Sequence, residues 1–301
     1  MTASPTFFDP RTLARLNGLA LRARHIVEGY VAGLHRSPYR GFSIEFAEHR
    51  EYAPGDDLRY VDWKVFGRTD KFYLKQYEDE TNLLCYVLLD TSRSMSYRGP
   101  GSALSKLEYA QCLAAALAWL VLRQQDSVGL ATFDEAPRTV IRPSGSPAHW
   151  PVVLNALEQV APGPRSDLGA AFAALAARLV RRGVVVVLSD LFDDPARLSA
   201  GLRQFRFRHH DVILLHVLDS AELLFPFDDG KRFTGLEGEP AASVDARAIR
   251  GAYLAEMEKF LAGVKSTARA QGIDYLLART DRPFDETLAA YLAARLARVK
   301  P

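Results

Sequence analysis

From Leu83 onward the chain alternates short, largely apolar runs with longer segments of helical period, and this alternation constrains the fold more than any other feature of the sequence. The runs are Leu83 to Leu89, Val128 to Phe133, Val184 to Leu188, Val212 to Leu218 and Ile273 to Leu277. A strand that is apolar at every position exposes a hydrophobic surface on both faces, so both must be covered by other elements. The segments between the runs supply the cover. Helices are expected at Lys106 to Gln124, near Ala148 to Val160, and at Asp167 to Arg182, Pro195 to Phe205, Asp245 to Gln271 and Phe284 to Ala297. Arg138 to Ile141, after the turn at Asp134 to Pro137, is one further strand, and Lys231 to Asp245, with Gly235, Gly238 and Pro240, is a hairpin inserted before the long helix. The pattern predicts a doubly wound, mainly parallel α/β sheet.

The first 82 residues have a different texture. Apolar positions at Leu13, Leu16, Ala20, Ala23, Val27, Tyr30, Val31 and Leu34 follow helical spacing, which predicts an amphipathic helix from Arg11 to Leu34. Its apolar face suits docking on the same chain or on another. Short mixed runs between Arg36 and Asn82, broken by Pro54-Gly55-Asp56-Asp57, predict a small β-element. The expected division is therefore an appendage over residues 1–82 and an α/β domain over residues 83–301.

Composition narrows the function classes. With 301 residues, 48% hydrophobic, the chain can build a core without staples. Its two cysteines, Cys85 and Cys112, lie within apolar stretches and are expected to be buried, reduced thiols. The longest apolar run, Cys112 to Leu122, falls short of the roughly 20 residues a membrane span needs. Residues 1–10 lack the pattern of a secretory signal, so a cytoplasmic protein without a membrane segment is expected. Basic and acidic residues number 38 and 36 and stay near parity along the chain, which argues against a nucleic-acid partner. The densest basic cluster, Arg203, Arg206 and Arg208, falls at a predicted helix end, where cations are favoured. Beside it, His209 and His210 would point to opposite faces of an extended segment and so make a poor metal pair.

In open α/β sheets ligands sit beyond the carboxyl ends of the strands. After the first run come Asp90, Ser92 and Ser94 at alternate positions; after the third comes Ser189-Asp190; between them, at a helix start, lie Arg165, Ser166 and Asp167. Two carboxylates and three hydroxyls are hard oxygen donors, a set that suits Mg²⁺ or Mn²⁺ and not zinc. Each loop also admits a plainer role: Ser166 as a helix cap, an aspartate after a strand as acceptor for loop amides.

At these residues the sequence resembles a known family. Asp90-x-Ser92-x-Ser94, Ser166 and Asp190 look like the metal-ion-dependent adhesion site of von Willebrand factor A-type domains, built from Asp-x-Ser-x-Ser, a Thr and an Asp on three loops. Upstream, the stretch from Arg50 to Trp63, with Tyr52, Pro54, Gly55, Asp56, Asp57, Arg59 and Asp62, resembles the bacterial domain-of-unknown-function family number 58, as do Gly272 to Tyr275 and Asp281 to Asp285. The resemblance implies a Rossmann-like, von Willebrand factor A-like domain that holds Mg²⁺ or Mn²⁺ on Asp90, Ser92, Ser94, Ser166 and Asp190. It also implies recognition of another protein whose carboxylate completes the metal shell. The flanking Arg93, Asp167 and Leu191 are the expected partner contacts. The implied partner is a MoxR-type AAA+ ATPase or its client, in chaperone-like maturation or assembly of other proteins. Two departures stand out. Ser166 replaces the usual Thr, and Asp190 is followed by Leu191 where many such domains place Gly.

The competing function is Mg²⁺-dependent phosphoryl transfer with Asp90 as nucleophile. Such enzymes place a second carboxylate two residues on, where this chain has Ser92, and no lysine stands in the three loops. The Arg50 to Trp63 signature has two readings of its own: charge pairing and Trp63 packing within the small β-element, or a second partner surface. A dinucleotide-binding domain lacks its Gly-rich turn after the first strand.

Overall fold

The computed structural model describes residues 10–16, 18–34, 50–51, 73–74, 83–228, 230–237, 242–284 and 287–288. At its centre stands one six-stranded sheet built from β3 (Leu84–Asp90), β4 (Ser127–Phe133), β5 (Pro137–Ser144), β6 (Val184–Ser189), β7 (Asp211–Leu218) and β10 (Asp274–Arg279). The strand order is β10-β7-β6-β3-β4-β5, parallel throughout except for the antiparallel edge strand β5. This is the expected doubly wound, mainly parallel architecture.

Alternation along the central strands explains why nearly every position is apolar. In β3, Cys85, Val87 and Leu89 pack into one cluster, while Leu84, Tyr86 and Leu88 pack into another on the opposite face. Val184, Val186 and Leu188 of β6 join the first cluster, Val185 and Val187 the second. The first face is covered by α3 (Lys106–Arg123) and α4 (His149–Glu158). The second is covered by α5 (Leu168–Arg178), α6 (Pro195–Phe207) and the long α8 (Ala246–Ala270). Both cysteines are buried free thiols. A short α7 (Ser220–Leu224) follows β7 directly, and the inserted hairpin pairs β8 (Gly230–Phe233) with β9 (Ala242–Asp245). Among the described residues no helix is long and apolar enough to cross a membrane.

Two expectations need correction. The N-terminal helix is broken into α1 (Pro10–Ala14) and α2 (Leu19–Leu34) at Gly18, whose φ of 89° lies in the left-handed region that glycine tolerates. Arg22 reaches back across the break and donates to the carbonyls of Leu16 and Ala14, satisfying the end of α1. The expected division at Asn82 is one of two boundaries, the other falling before Leu34. The described residues before Leu34 pack with those from Leu83 onward, because Leu13, Leu19, Ala23, Ile26 and Val27 are buried in the first core cluster; Leu34 to Asn82 falls in a second unit. In that second unit β1 (Arg50–Glu51) pairs antiparallel with β2 (Tyr73–Leu74). The rest of the signature, from Tyr52 to Trp63, lies outside the described residues, as does most of the helix expected from Phe284 to Ala297.

The basic cluster is accounted for by the end of α6. Arg206 donates to the carbonyl of His210 and pairs with Asp211. His209 adopts a positive φ of 61°, so the pair is in a turn, not a strand, and His210 is buried against Tyr86 and Phe205.

Candidate functional site

The strand order sets β3 beside β6, so Asp90 and Asp190 emerge from neighbouring strands at the carboxyl edge of the sheet, both fully buried. Asp90 is tied at both oxygens. Its Oδ1 accepts the Ser92 amide at 2.8 Å and its Oδ2 accepts the Ser189 hydroxyl at 2.5 Å. The Ser189 hydroxyl in turn accepts the Leu191 amide at 2.9 Å, which links the first and third loops through one side chain. Beyond Asp90 the chain makes a single 3₁₀ turn over Arg93–Ser96 that brings the Ser92 and Ser94 hydroxyls to 3.1 Å.

The second loop is pinned to the first by the Gly163 amide, which donates to the Thr91 carbonyl at 2.6 Å. A Cβ at Gly163 would collide with the Asp134 carboxylate, so this approach requires glycine. Ser166 faces the third loop, its hydroxyl donating to the Phe192 carbonyl at 3.3 Å. The cap of α5 is Asp167, not Ser166: the Asp167 carboxylate accepts the Ala170 amide and pairs with Arg197 at 3.0 Å.

The expected partner contacts separate. Arg93 is exposed on the 3₁₀ turn. Asp167 is engaged as cap and ion pair. Leu191 is buried in the second core cluster, 1% exposed, and so presents no side chain to a partner. Its φ of 56° is left-handed, the conformation for which a glycine is the usual solution after the third-loop aspartate.

Three side chains that the structure brings to these loops escaped the sequence. Lys106, the first residue of α3, is fully buried and donates to Asp190 at 2.8 Å and to Glu222 of α7 at 2.6 Å. A cation at a helix N-terminus opposes the helix dipole. Burial, the strongest single influence on this ammonium, pulls its pKa down, but Asp190 and Glu222 together outweigh it and the value ends above that of an ordinary lysine. Thus a lysine does stand at the site, but its charge is already engaged. The Ser105 to Glu108 capping box marks the helix start in the sequence; nothing there marks burial.

His216, near the end of β7, backs the third loop. Its Nε2 lies 2.8 Å from the Asp190 carbonyl, which can only accept, so this nitrogen carries the proton; Nδ1, 2.9 Å from Tyr275 Oη, then accepts from the phenol. Burial lowers its pKa to about 4 and keeps the ring neutral. Glu237, beyond β8 in the inserted hairpin, is the third. Its two oxygens accept the backbone amides of Ser94 and Ser166, at 3.2 and 3.3 Å.

The electrostatic balance bears on the cation. Asp190 and Glu222 share the ammonium of Lys106, while Asp90 lies beside Asp190 and outside these ion pairs. Burial, then the charge of Asp190, raises the Asp90 pKa to about 7. The hard oxygen donors of two buried aspartates, with two seryl hydroxyls in contact, fit Mg²⁺ or Mn²⁺. Among the described residues no group of three or more His, Cys, Asp or Glu side chains has the spacing of a metal site, so the cation would lean on hydroxyls and water beside the two aspartates.

Comparison with known proteins places this site in context. The family described as "Protein of unknown function DUF58" matches residues 48–260. An uncharacterised protein of Mycobacterium tuberculosis is 29% identical over 293 residues, covering 95% of this chain and 90% of the relative; an uncharacterised protein of Mycobacterium bovis matches equally. Among solved structures, the conserved hypothetical protein BatB from Bacteroides thetaiotaomicron is 14% identical with a TM-score of 0.46, covering 71% of this chain and 96% of BatB. The SpRpn10 VWA domain is 15% identical with a TM-score of 0.36, covering 46% of this chain and 76% of that domain.

Proposed function

Since the chain belongs to the family described as protein of unknown function DUF58, whose description names no activity, we propose a function from the site itself. The protein is a Mg²⁺- or Mn²⁺-dependent protein-interaction module whose metal-bearing loops recognise an acidic side chain of another protein. The observation that carries this reading is the buried pair Asp90 and Asp190, neighbours at the sheet's carboxyl edge, of which Asp190 is paired with Lys106. Asp90, Ser92, Ser94, Ser166 and Asp190 would hold the ion, and the ion would supply a positive centre for a carboxylate. The chain's own groups do the rest. Lys106 fixes Asp190, Ser189 fixes Asp90, and His216 holds the third-loop backbone. The partner class implied by the sequence resemblance, a MoxR-type AAA+ ATPase or its client, belongs to this proposal, with chaperone-like maturation or assembly as its setting.

Binding is favoured over phosphoryl transfer by the state of Asp90. Both oxygens of the would-be nucleophile already accept hydrogen bonds and the side chain is fully buried, while Lys106 is held by two carboxylates.

Thermal unfolding with and without millimolar Mg²⁺ tests the metal, because a ligand that binds only the folded state raises Tm. A rise of several degrees is expected in the wild type and should vanish in Asp90→Asn, which keeps the shape of the side chain. No shift in the wild type would overturn the metal reading. Affinity capture on a purified MoxR-type ATPase, with and without Mg²⁺, tests the partner class; turnover of phosphoesters that is lost in Asp90→Asn would replace binding with catalysis.

A further inference from the structure

We propose that the β8–β9 hairpin is a tethered competitor for this site: Glu237 holds the place that an acidic side chain of a protein partner takes, and a partner binds by displacing it. The proposal rests on the function above for the chemistry of the partner, and on the hairpin for the competition.

The first observation is where the carboxylate sits. Ser94 belongs to the first loop and Ser166 to the second, and Glu237 accepts one backbone amide from each, joining loops that lie 143 and 71 residues away in sequence. Two preorganised N–H donors converging on one carboxylate make a carboxylate receptor, and the chain's own glutamate occupies it.

The second observation is how the hairpin is mounted. Its base is fixed through aromatic contacts: Phe233 of β8 stacks on Phe225 at 5.6 Å and meets Phe227 edge-on at 5.5 Å. Phe225 lies 4.5 Å from Tyr253 of α8, whose hydroxyl donates to the Glu222 carbonyl at 2.9 Å. Beyond β8 the described chain loses that cover, with Leu236 37% exposed beside Glu237. The segment that carries Glu237 is therefore secured at its root, and the two loop amides that its carboxylate accepts are donors an outside carboxylate can engage in its place.

Such an exchange gains no hydrogen bonds, so a partner must draw its net affinity from the surface around its acidic residue. A tether of this length presents its carboxylate at an effective concentration of order millimolar, enough to exclude small free carboxylates and weak acidic peptides. The hairpin thus sets a threshold: it keeps the loops ordered when no partner is present and selects partners that offer more than one acidic side chain.

Acetate is the probe, and the amides of Ser94 and Ser166 in ¹⁵N-labelled full chain are the reporters, in the presence of Mg²⁺. In Glu237→Gln the side-chain NH₂ cannot accept, so one amide loses its partner without loss of shape. Acetate should shift both amides at a concentration several-fold to tenfold lower in Glu237→Gln than in the wild type. Phe233→Ala, which loosens the root and leaves Glu237 in place, should move the titration in the same direction. Equal midpoints in wild type and Glu237→Gln, or no response in either, overturn the competitor. The outcomes separate it from the metal reading: a midpoint difference in a protein whose Tm ignores Mg²⁺ sinks the metal and upholds the tether. Equal midpoints in a protein that Mg²⁺ stabilises do the reverse.

Discussion

At Leu191 two local effects oppose each other, and magnitudes decide between them. A left-handed conformation costs a non-glycine residue about 1–2 kcal/mol, whereas emptying a buried leucine site costs about 2–5 kcal/mol. Leu191→Gly should therefore lower stability to urea by about 1–3 kcal/mol even though glycine suits the backbone better; a stabilised variant would show that strain dominates. Lys106 presents the opposite case, a buried charge held only by its partners. Lys106→Met strands Asp190 and Glu222 and should cost about 3–5 kcal/mol without metal. Because the competing cation is gone, Mg²⁺ should restore more stability to this variant than it adds to the wild type, as urea unfolding with and without Mg²⁺ would record. His216 gives the pH dependence. Its pKa is lowered in the fold, so the unfolded chain takes up a proton first as pH falls from about 6.5. The contribution of His216 to stability is thus complete above that pH, declines by up to about 3 kcal/mol towards pH 4, and is flat below. Asp90 and Glu222, with raised pKa values, change stability in the other direction, so the difference between wild type and His216→Gln isolates the histidine.

At the scale of elements, the sequence is legible wherever a pattern repeats within a few residues. The apolar runs read as strands because a strand covered on both faces leaves few polar positions, and α6 is announced by Asp194, whose carboxylate accepts the Ala196 and Arg197 amides just ahead of Pro195 at the first turn. What periodicity cannot tell is against what an amphipathic helix packs. The split helix α1–α2 shows an apolar face in the sequence, but only the fold places Ile26 and Val27 in the same cluster as Val87 and Leu113. Ile26→Ala should therefore cost about 2–4 kcal/mol in global unfolding, as for any core truncation. A loss below about 0.5 kcal/mol would mean that α2 is not part of the cooperative core. Asp219 marks a limit of a different kind. It follows the apolar run of β7, as Asp90 and Asp190 follow theirs, but it is spent on the Gly99 and Ala221 amides and the Thr280 hydroxyl. An aspartate at a strand's carboxyl end is therefore not by itself a sufficient mark of such a site.

For the molecule as a whole, the site is a product of strand order. Asp90 and Asp190 stood out in the sequence because each ends an apolar run, yet their proximity follows from β6 lying beside β3, which no local pattern encodes. The same holds for Lys106, whose partners lie 84 and 116 residues away, and for Glu237, which no motif marks. Strand geometry then separates two electrostatic neighbourhoods. Arg181 precedes β6 at the amino edge of the sheet, and the six residues of β6 set it about 20 Å from Asp190 at roughly 3.3 Å per residue. At physiological salt the Debye length is about 8 Å, so a charge at Arg181 is screened from the metal site. Arg93 adjoins two of the candidate ligands and is exposed. Calorimetric titration with Mg²⁺ at that ionic strength should find Arg181→Glu within a factor of two of the wild type, whereas Arg93→Glu should bind Mg²⁺ a few-fold more tightly. The same Arg93→Glu change should weaken capture of an acidic partner, since the rim then repels the carboxylate that the ion attracts. Tighter metal with weaker partner is a combination that a purely structural disturbance does not produce. Weakening of both, or an effect of Arg181→Glu as large as that of Arg93→Glu, would remove the local electrostatic account of the site.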